Sequence, residues 1–140
     1  MTLRDQIARD EGGYQKSAYQ DSLGYWTIGF GRLIDKRKDG GISRAEAELM
    51  LDNDIRDKTA ELIAALPWIP LIDPVRRAVL VNMAFNLGVA GLLGFHATLE
   101  AVHAGDWAAA SQHMLESKWA QQVGPRAHRL ADQMRTGEWQ

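Results

Sequence analysis

The chain has 140 residues, enough for one domain that buries about two-thirds of its unfolded surface. Its 16 Lys and Arg against 18 Asp and Glu leave a formal charge of −2, so it lacks the basic footprint of a nucleic-acid binder. With no cysteine there is neither a disulfide framework nor a thiolate metal site, and folding rests on packing alone. The opening Met1-Thr2-Leu3-Arg4-Asp5 carries no apolar core of a secretory signal, and no apolar run reaches membrane-span length. No stable membrane association is expected.

In chain order, Leu3, Ile7 and Ala8 mark a short one-sided helix over residues 2–11, stopped by Gly12-Gly13. Over residues 14–34 the pattern becomes β-prone. Tyr19, Tyr25, Trp26, Ile28 and Phe30, punctuated by Gly24, Gly29 and Gly31, predict an antiparallel hairpin or a three-stranded sheet. Residues 36–41 read as a polar turn, and the basic run Lys36-Arg37-Lys38 as a solvated one. Ser43-Arg44-Ala45-Glu46 is a capping box opening a long helix to Leu66, ended by Pro67 and Pro70. Such a helix, about 36 Å long, is long enough to bridge two lobes.

Asp73-Pro74 predicts an N-cap with proline at the first helical position. The helix that follows, over 75–87, is apolar nearly all round and belongs in the core of the larger lobe, with Gly88 as its cap. Further helices are expected near 90–94, 96–104, 107–116 and 125–135. The class is α+β: a mostly helical, two-lobed fold with a small N-terminal β-sheet lobe and a long interlobe helix. Residues 1–140 are expected to make a single domain, with the small lobe at about 12–42, the interlobe helix at about 43–66, and the helical lobe at about 67–140 plus 1–11.

Three residues carry candidate chemistry. Glu11 stands at a helix C-terminus, whose partial negative charge opposes ionisation and, with shielding from water, favours a general acid. Asp21 lies in the turn Asp21-Ser22-Leu23-Gly24, and Thr27 alternates on a strand. Singly, each has a commonplace reading: a solvated last-turn acid, a turn former, a β-branched strand residue. Together they present two carboxylates of different environment, as cleavage of a sugar acetal requires.

Residues 10–33, from Asp10-Glu11-Gly12-Gly13 through Thr27-Ile28-Gly29-Phe30-Gly31, resemble the catalytic segment of the phage-type, T4-lysozyme-like lysozymes or endolysins. Residues 43–55 resemble the start of that family's interlobe helix, 73–88 its buried central helix, and 124–129 with 135–139 its C-terminal end. The resemblance covers the whole chain apart from a shortened stretch between hairpin and long helix, so a reduced small lobe is expected.

What the resemblance implies is hydrolysis of the β-1,4 bond between N-acetylmuramic acid and N-acetylglucosamine in bacterial peptidoglycan. Glu11 would protonate the leaving oxygen, Asp21 would act on the attacking water, and Thr27 would hold that water. Arg126, Asn86, Phe95 and Leu33 match substrate-binding positions, and Asn82 and His113 are further cleft candidates. Trp26 is a candidate for stacking on a sugar, while Trp68, Trp107, Trp119 and Trp139 are expected to pack in the core or at lobe edges. No metal or other cofactor is implied, and His96, His103, His113 and His128 show no ligand spacing.

A phage endolysin of this kind would be a monomer. It would stay in the host cytoplasm until a holin-type protein opened the membrane, and would then reach the periplasm and wall. With no wall-binding segment appended, it would suit a thin wall of the Gram-negative kind.

Two departures from the family pattern bear on the site. Nine residues separate Glu11 from Asp21 where eight are usual, and a loop or bulge within 12–18 must absorb the extra one for Asp21 to face the cleft. Arg32 replaces a histidine, and the expectation is that it pairs with Asp54. Rival readings are a lytic transglycosylase using Glu11 alone and a non-catalytic peptidoglycan-binding protein. A nucleic-acid or protein-interaction module fits least.

Overall fold

A computed structural model describes residues 1–37 and 41–140. The basic run and polar turn read from the sequence therefore fall partly outside the described residues. The chain forms two compact units, Met1–Leu51 and Asp52–Gln140.

The N-terminal unit opens with α1 (Leu3–Asp10), followed by β1 (Gln15–Gln20), β2 (Trp26–Gly29) and β3 (Arg32–Leu33) in one antiparallel sheet of order β1-β2-β3. A capping box starts α1: Thr2 Oγ1 accepts from the Asp5 N–H at 3.1 Å while Asp5 Oδ2 accepts from the Thr2 N–H at 2.9 Å. Thr27 is the one buried residue among those described here, so local hydrogen bonds rather than an apolar core shape this unit.

Helix α2 (Arg44–Ala65) carries the boundary between the units within it. The predicted capping box is present, with Ser43 Oγ accepting from the Glu46 N–H at 3.1 Å. Arg32 pairs with Glu46 at 2.9 Å, not with Asp54 as the sequence suggested. Glu46 sits in the first turn of α2, where the Ser43 hydroxyl and the Arg32 guanidinium both favour its ionised form.

The C-terminal unit is helical: a 3-10 turn (Ile69–Leu71), then α3 (Pro74–Leu87), α4 (Val89–Leu93), α5 (His96–Ala104), α6 (Trp107–Glu116), α7 (Lys118–Val123) and α8 (Pro125–Thr136). Asp73 caps α3 by accepting from the Arg76 N–H at 2.9 Å, as the Asp-Pro signal predicted. The core gathers Leu62, Val79, Leu80, Met83, Leu92, Val102, Met114 and Met134, all fully buried. Burial of each is worth about 1.5–3 kcal/mol relative to exposure.

Helix α7 has no counterpart in the sequence reading. It is a short helix started by the Ser117 side chain, which accepts from the Ala120 N–H at 3.2 Å, and six residues show no readable apolar period. Phe85, on the helix expected to be apolar all round, is partly exposed. Trp139 does not pack as expected but is 69% exposed, lying beyond α8, which ends at Thr136 with Gly137 as its C-cap.

Candidate active site

Glu11 is the C-cap of α1, as its position before two glycines predicted. Gly12 and Gly13 both take left-handed backbone, at φ +84° and +79°, and the Gly13 N–H donates to the Ala8 carbonyl at 2.8 Å. That turn closes the helix and leaves the exposed Glu11 side chain at its end.

Asp21 is half-buried and does structural duty with one oxygen. Its Oδ1 accepts from the Leu23 N–H and from the Tyr25 N–H, both at 2.9 Å, while its own N–H donates to the Tyr25 carbonyl at 2.8 Å. Among the described residues no protein group bonds its Oδ2. The carboxylate is thus oriented by the turn, with one oxygen left for a ligand or water.

The nine-residue spacing is accommodated within β1. Gln15 pairs with Gly29 and Tyr19 with Thr27, so four steps along β1 oppose two along β2, and the register shifts between Gln15 and Tyr19. A bulge there takes up the surplus before Asp21 is reached. Thr27 lies in the central strand, opposite Tyr19 on one side and Leu33 on the other. It is 4% exposed, and its hydroxyl donates to the Tyr25 carbonyl at 3.2 Å.

The result is a single pocket of about 480 Å³ in the N-terminal unit, lined by Glu11, Asp21, Thr27 and Leu33 together with Tyr19, Leu23, Tyr25, Gly31 and Lys36. Four predicted site residues meet here. Sequence reasoning singled out none of the others for the site, although strand alternation carries the signal: Tyr19 precedes Asp21 by two, and Tyr25 precedes Thr27 by two. Trp26, proposed for stacking, falls on the intervening position and does not line this pocket.

The remaining predicted site residues belong to the C-terminal unit. Asn86 Oδ1 accepts the Trp119 indole N–H at 2.8 Å, and Phe95 meets Trp119 edge-to-face at 6.2 Å, so Trp119 links two of them. Arg126 donates to Asn82 Oδ1 from Nε at 3.0 Å and from Nη2 at 2.6 Å. Phe95 and His113 line a hollow of about 560 Å³ with Glu116, Lys118, Trp119 and Gln122, which neither Asn86 nor Arg126 touches. Among the described residues no cluster of His, Asp or Glu is grouped to hold a metal ion, and no helix is long and apolar enough to cross a membrane.

Residues 9–135 match the model of the family described as phage lysozyme. The chain is 31% identical to the pre-baseplate central spike protein Gp5 of Enterobacteria phage T4, an alignment covering 98% of this chain and 28% of that protein. It is 27% identical to probable T4-type lysozymes 1 and 2 of Dictyostelium discoideum, covering 97% of this chain and 95% of each. The alignments exceed 140 positions, so each relative carries residues that this chain lacks.

Proposed function

This chain belongs to the phage lysozyme family and is a lysozyme-type glycoside hydrolase, and on that premise we propose that it hydrolyses the β-1,4 bond between N-acetylmuramic acid and N-acetylglucosamine in bacterial peptidoglycan. The observation that carries this reading is the pocket shared by Glu11, Asp21 and Thr27. Protonated Glu11 gives its proton to the glycosidic oxygen as the bond to the anomeric carbon breaks. A water attacks that carbon from the opposite ring face and loses a proton to Asp21 Oδ2, while the Thr27 hydroxyl orients it. Water is added across the bond, and the two carboxyl groups return to their starting states by exchange with solvent. The outcome is inversion, which requires room for a water between the carboxyls.

The turn geometry supports these separate roles. Asp21, held through Oδ1 by two backbone N–H groups, is fixed in orientation with Oδ2 left for the water, as a general base needs. Glu11 has no such donors among the described residues and is exposed at the end of α1. In the second unit, Phe95, Asn86 and Arg126 are the candidate contacts to the glycan or its peptide.

Under the same reading the protein is a monomer that reaches the wall from the host cytoplasm only after a holin-type protein opens the membrane. Lysis on expression without any permeabilising protein would overturn that route.

The test of the reaction is mass spectrometry of fragments released from purified sacculi. Reducing muramic ends are expected. Anhydro ends would mean that Glu11 acts alone as in a transglycosylase, and no release by folded protein would leave a binding protein. Glu11→Gln is expected to fold normally and to lose at least about 10²-fold in turnover.

A further inference from the structure

Two glycines flank Phe30 where the chain passes from β2 to β3, and both hold left-handed backbone, Gly29, the last residue of β2, at φ +69° and Gly31 at φ +72°. They differ in what faces them. A Cβ on Gly29 would stand in open space, with no heavy atom within 4 Å. A Cβ on Gly31 would run into the Glu11 side chain, 2.6 Å from Cδ and 2.8 Å from Cγ and closer still to Oε2. The Glu11 carboxyl occupies the volume that an L side chain at position 31 would fill.

We propose that Gly31 is a positioning residue for Glu11, its absent side chain forming the seat against which the carboxyl lies. The proposal rests on the reading of Glu11 as the general acid. Glu11 needs such a seat because it is exposed and, among the described residues, its carboxyl has neither a hydrogen bond nor an ion pair to hold it. A glutamate has three side-chain torsions, and an error of about 1 Å in a reacting group can cost 10²-fold in rate. The turn that carries Gly31 is closed by the ladder that pairs Ile28 with Arg32. Steric contact with this turn therefore limits where the Glu11 carboxyl lies, a one-sided restraint where Asp21 has two backbone hydrogen bonds.

The paired glycines supply the control. Gly29→Ala and Gly31→Ala impose the same left-handed strain, but only the second adds an atom against Glu11. Because the end of a glutamate side chain swings aside at little cost, the two variants are expected to lose similar stability. Gly31→Ala is expected to lower kcat by about 10²-fold with KM changed less than about threefold, and to move the NMR signal of the Glu11 side-chain carboxyl. Gly29→Ala is expected to do neither. Should the alanine pair fail to fold, Gly29→Asn and Gly31→Asn repeat the comparison, since asparagine tolerates this backbone best among residues with a Cβ.

Equal losses of kcat in both variants would overturn the proposal, leaving backbone strain as the cause. So would an unmoved Glu11 signal with wild-type kcat in the position-31 variants. A moved Glu11 signal with unchanged kcat overturns the positioning role as well. In that case Glu11→Gln tells which claim has failed, because its full activity would mean that Glu11 is not the general acid.

Discussion

Trp119 donates its indole N–H to Asn86 Oδ1 at 2.8 Å, across 33 residues of sequence, and so ties α7 to the last turn of α3. The indole is 3% exposed and its one polar atom needs a partner, whereas Asn86 is exposed and reaches in from the surface. Water can take the place of the lost amide, so Asn86→Ala is expected to cost about 1 kcal/mol, not the larger penalty of a stranded donor. Urea unfolding measures the loss, and no loss would mean that the bond contributes nothing net. Any change in KM beyond that reports the sugar contact implied by the family match.

Asp21 combines a turn and a chemical role, and two substitutions separate them. Asp21→Asn keeps an acceptor for the Leu23 and Tyr25 N–H groups, so its urea midpoint is expected near that of the wild type. Asp21→Ala removes the acceptor of both, of which the Tyr25 N–H is partly buried and the Leu23 N–H open to water, and is expected to lose about 1 kcal/mol. Both are expected to lose turnover on sacculi by at least about 10²-fold. Wild-type turnover in Asp21→Asn would remove the base from the mechanism.

Arg76 is held by geometry that only a planar guanidinium fits. Its Nε donates to the Met134 carbonyl at 2.7 Å, Nη2 to the Arg135 carbonyl at 3.2 Å and Nη1 to Asp73, while its plane covers the Trp107 ring at 4.3 Å. It thereby satisfies carbonyls at the end of α8 that have no helical partner. Lysine keeps the charge but not the fork, so Arg76→Lys is expected to destabilise by about 1–3 kcal/mol in thermal or urea unfolding. Retention of wild-type stability would show that the charge alone suffices.

Asp73 gives the C-terminal unit an acid limb. Burial raises the proton affinity of its carboxyl, but the Arg76 backbone N–H and guanidinium together outweigh burial and hold it below the ordinary aspartate value of 3.8. A pKa lower in the folded state adds stability that is complete above the unfolded value and is lost as pH falls through the folded one. Stability is therefore expected to decline from about pH 4 downward. Asp73→Asn, which keeps a good cap but cannot ionise, is expected to flatten that decline. An unchanged acid limb in the variant would assign it to other carboxylates.

The legible parts of this protein are those in which the deciding groups are sequence neighbours. The Ser43 and Asp73 caps, the glycine stops after α1 and Leu87 and the strand propensity of 14–34 each depend on residues within a few positions of one another, so the pattern and the interaction coincide. Glu11 at a helix end and Asp21 in a turn follow from the same local rules. Helix α7 is not legible because six residues carry less than two turns of periodicity, and the exposure of Trp139 is not legible because composition does not say whether a neighbour exists to cover it.

Tertiary structure alone decided which groups meet across long stretches of chain. Strand pairing placed the bulge between Gln15 and Tyr19, so that a longer spacing still brings Asp21 into the pocket of Glu11. Sheet and helix together gave Arg32 to Glu46, and helix packing gave Arg126 to Asn82 across 44 residues. Charge and reach allow several partners for each of these side chains, and only the fixed backbone selects among them. The same holds at Gly31, where backbone conformation alone accounts for a glycine, but the approach of Glu11 adds a second constraint that no local pattern contains.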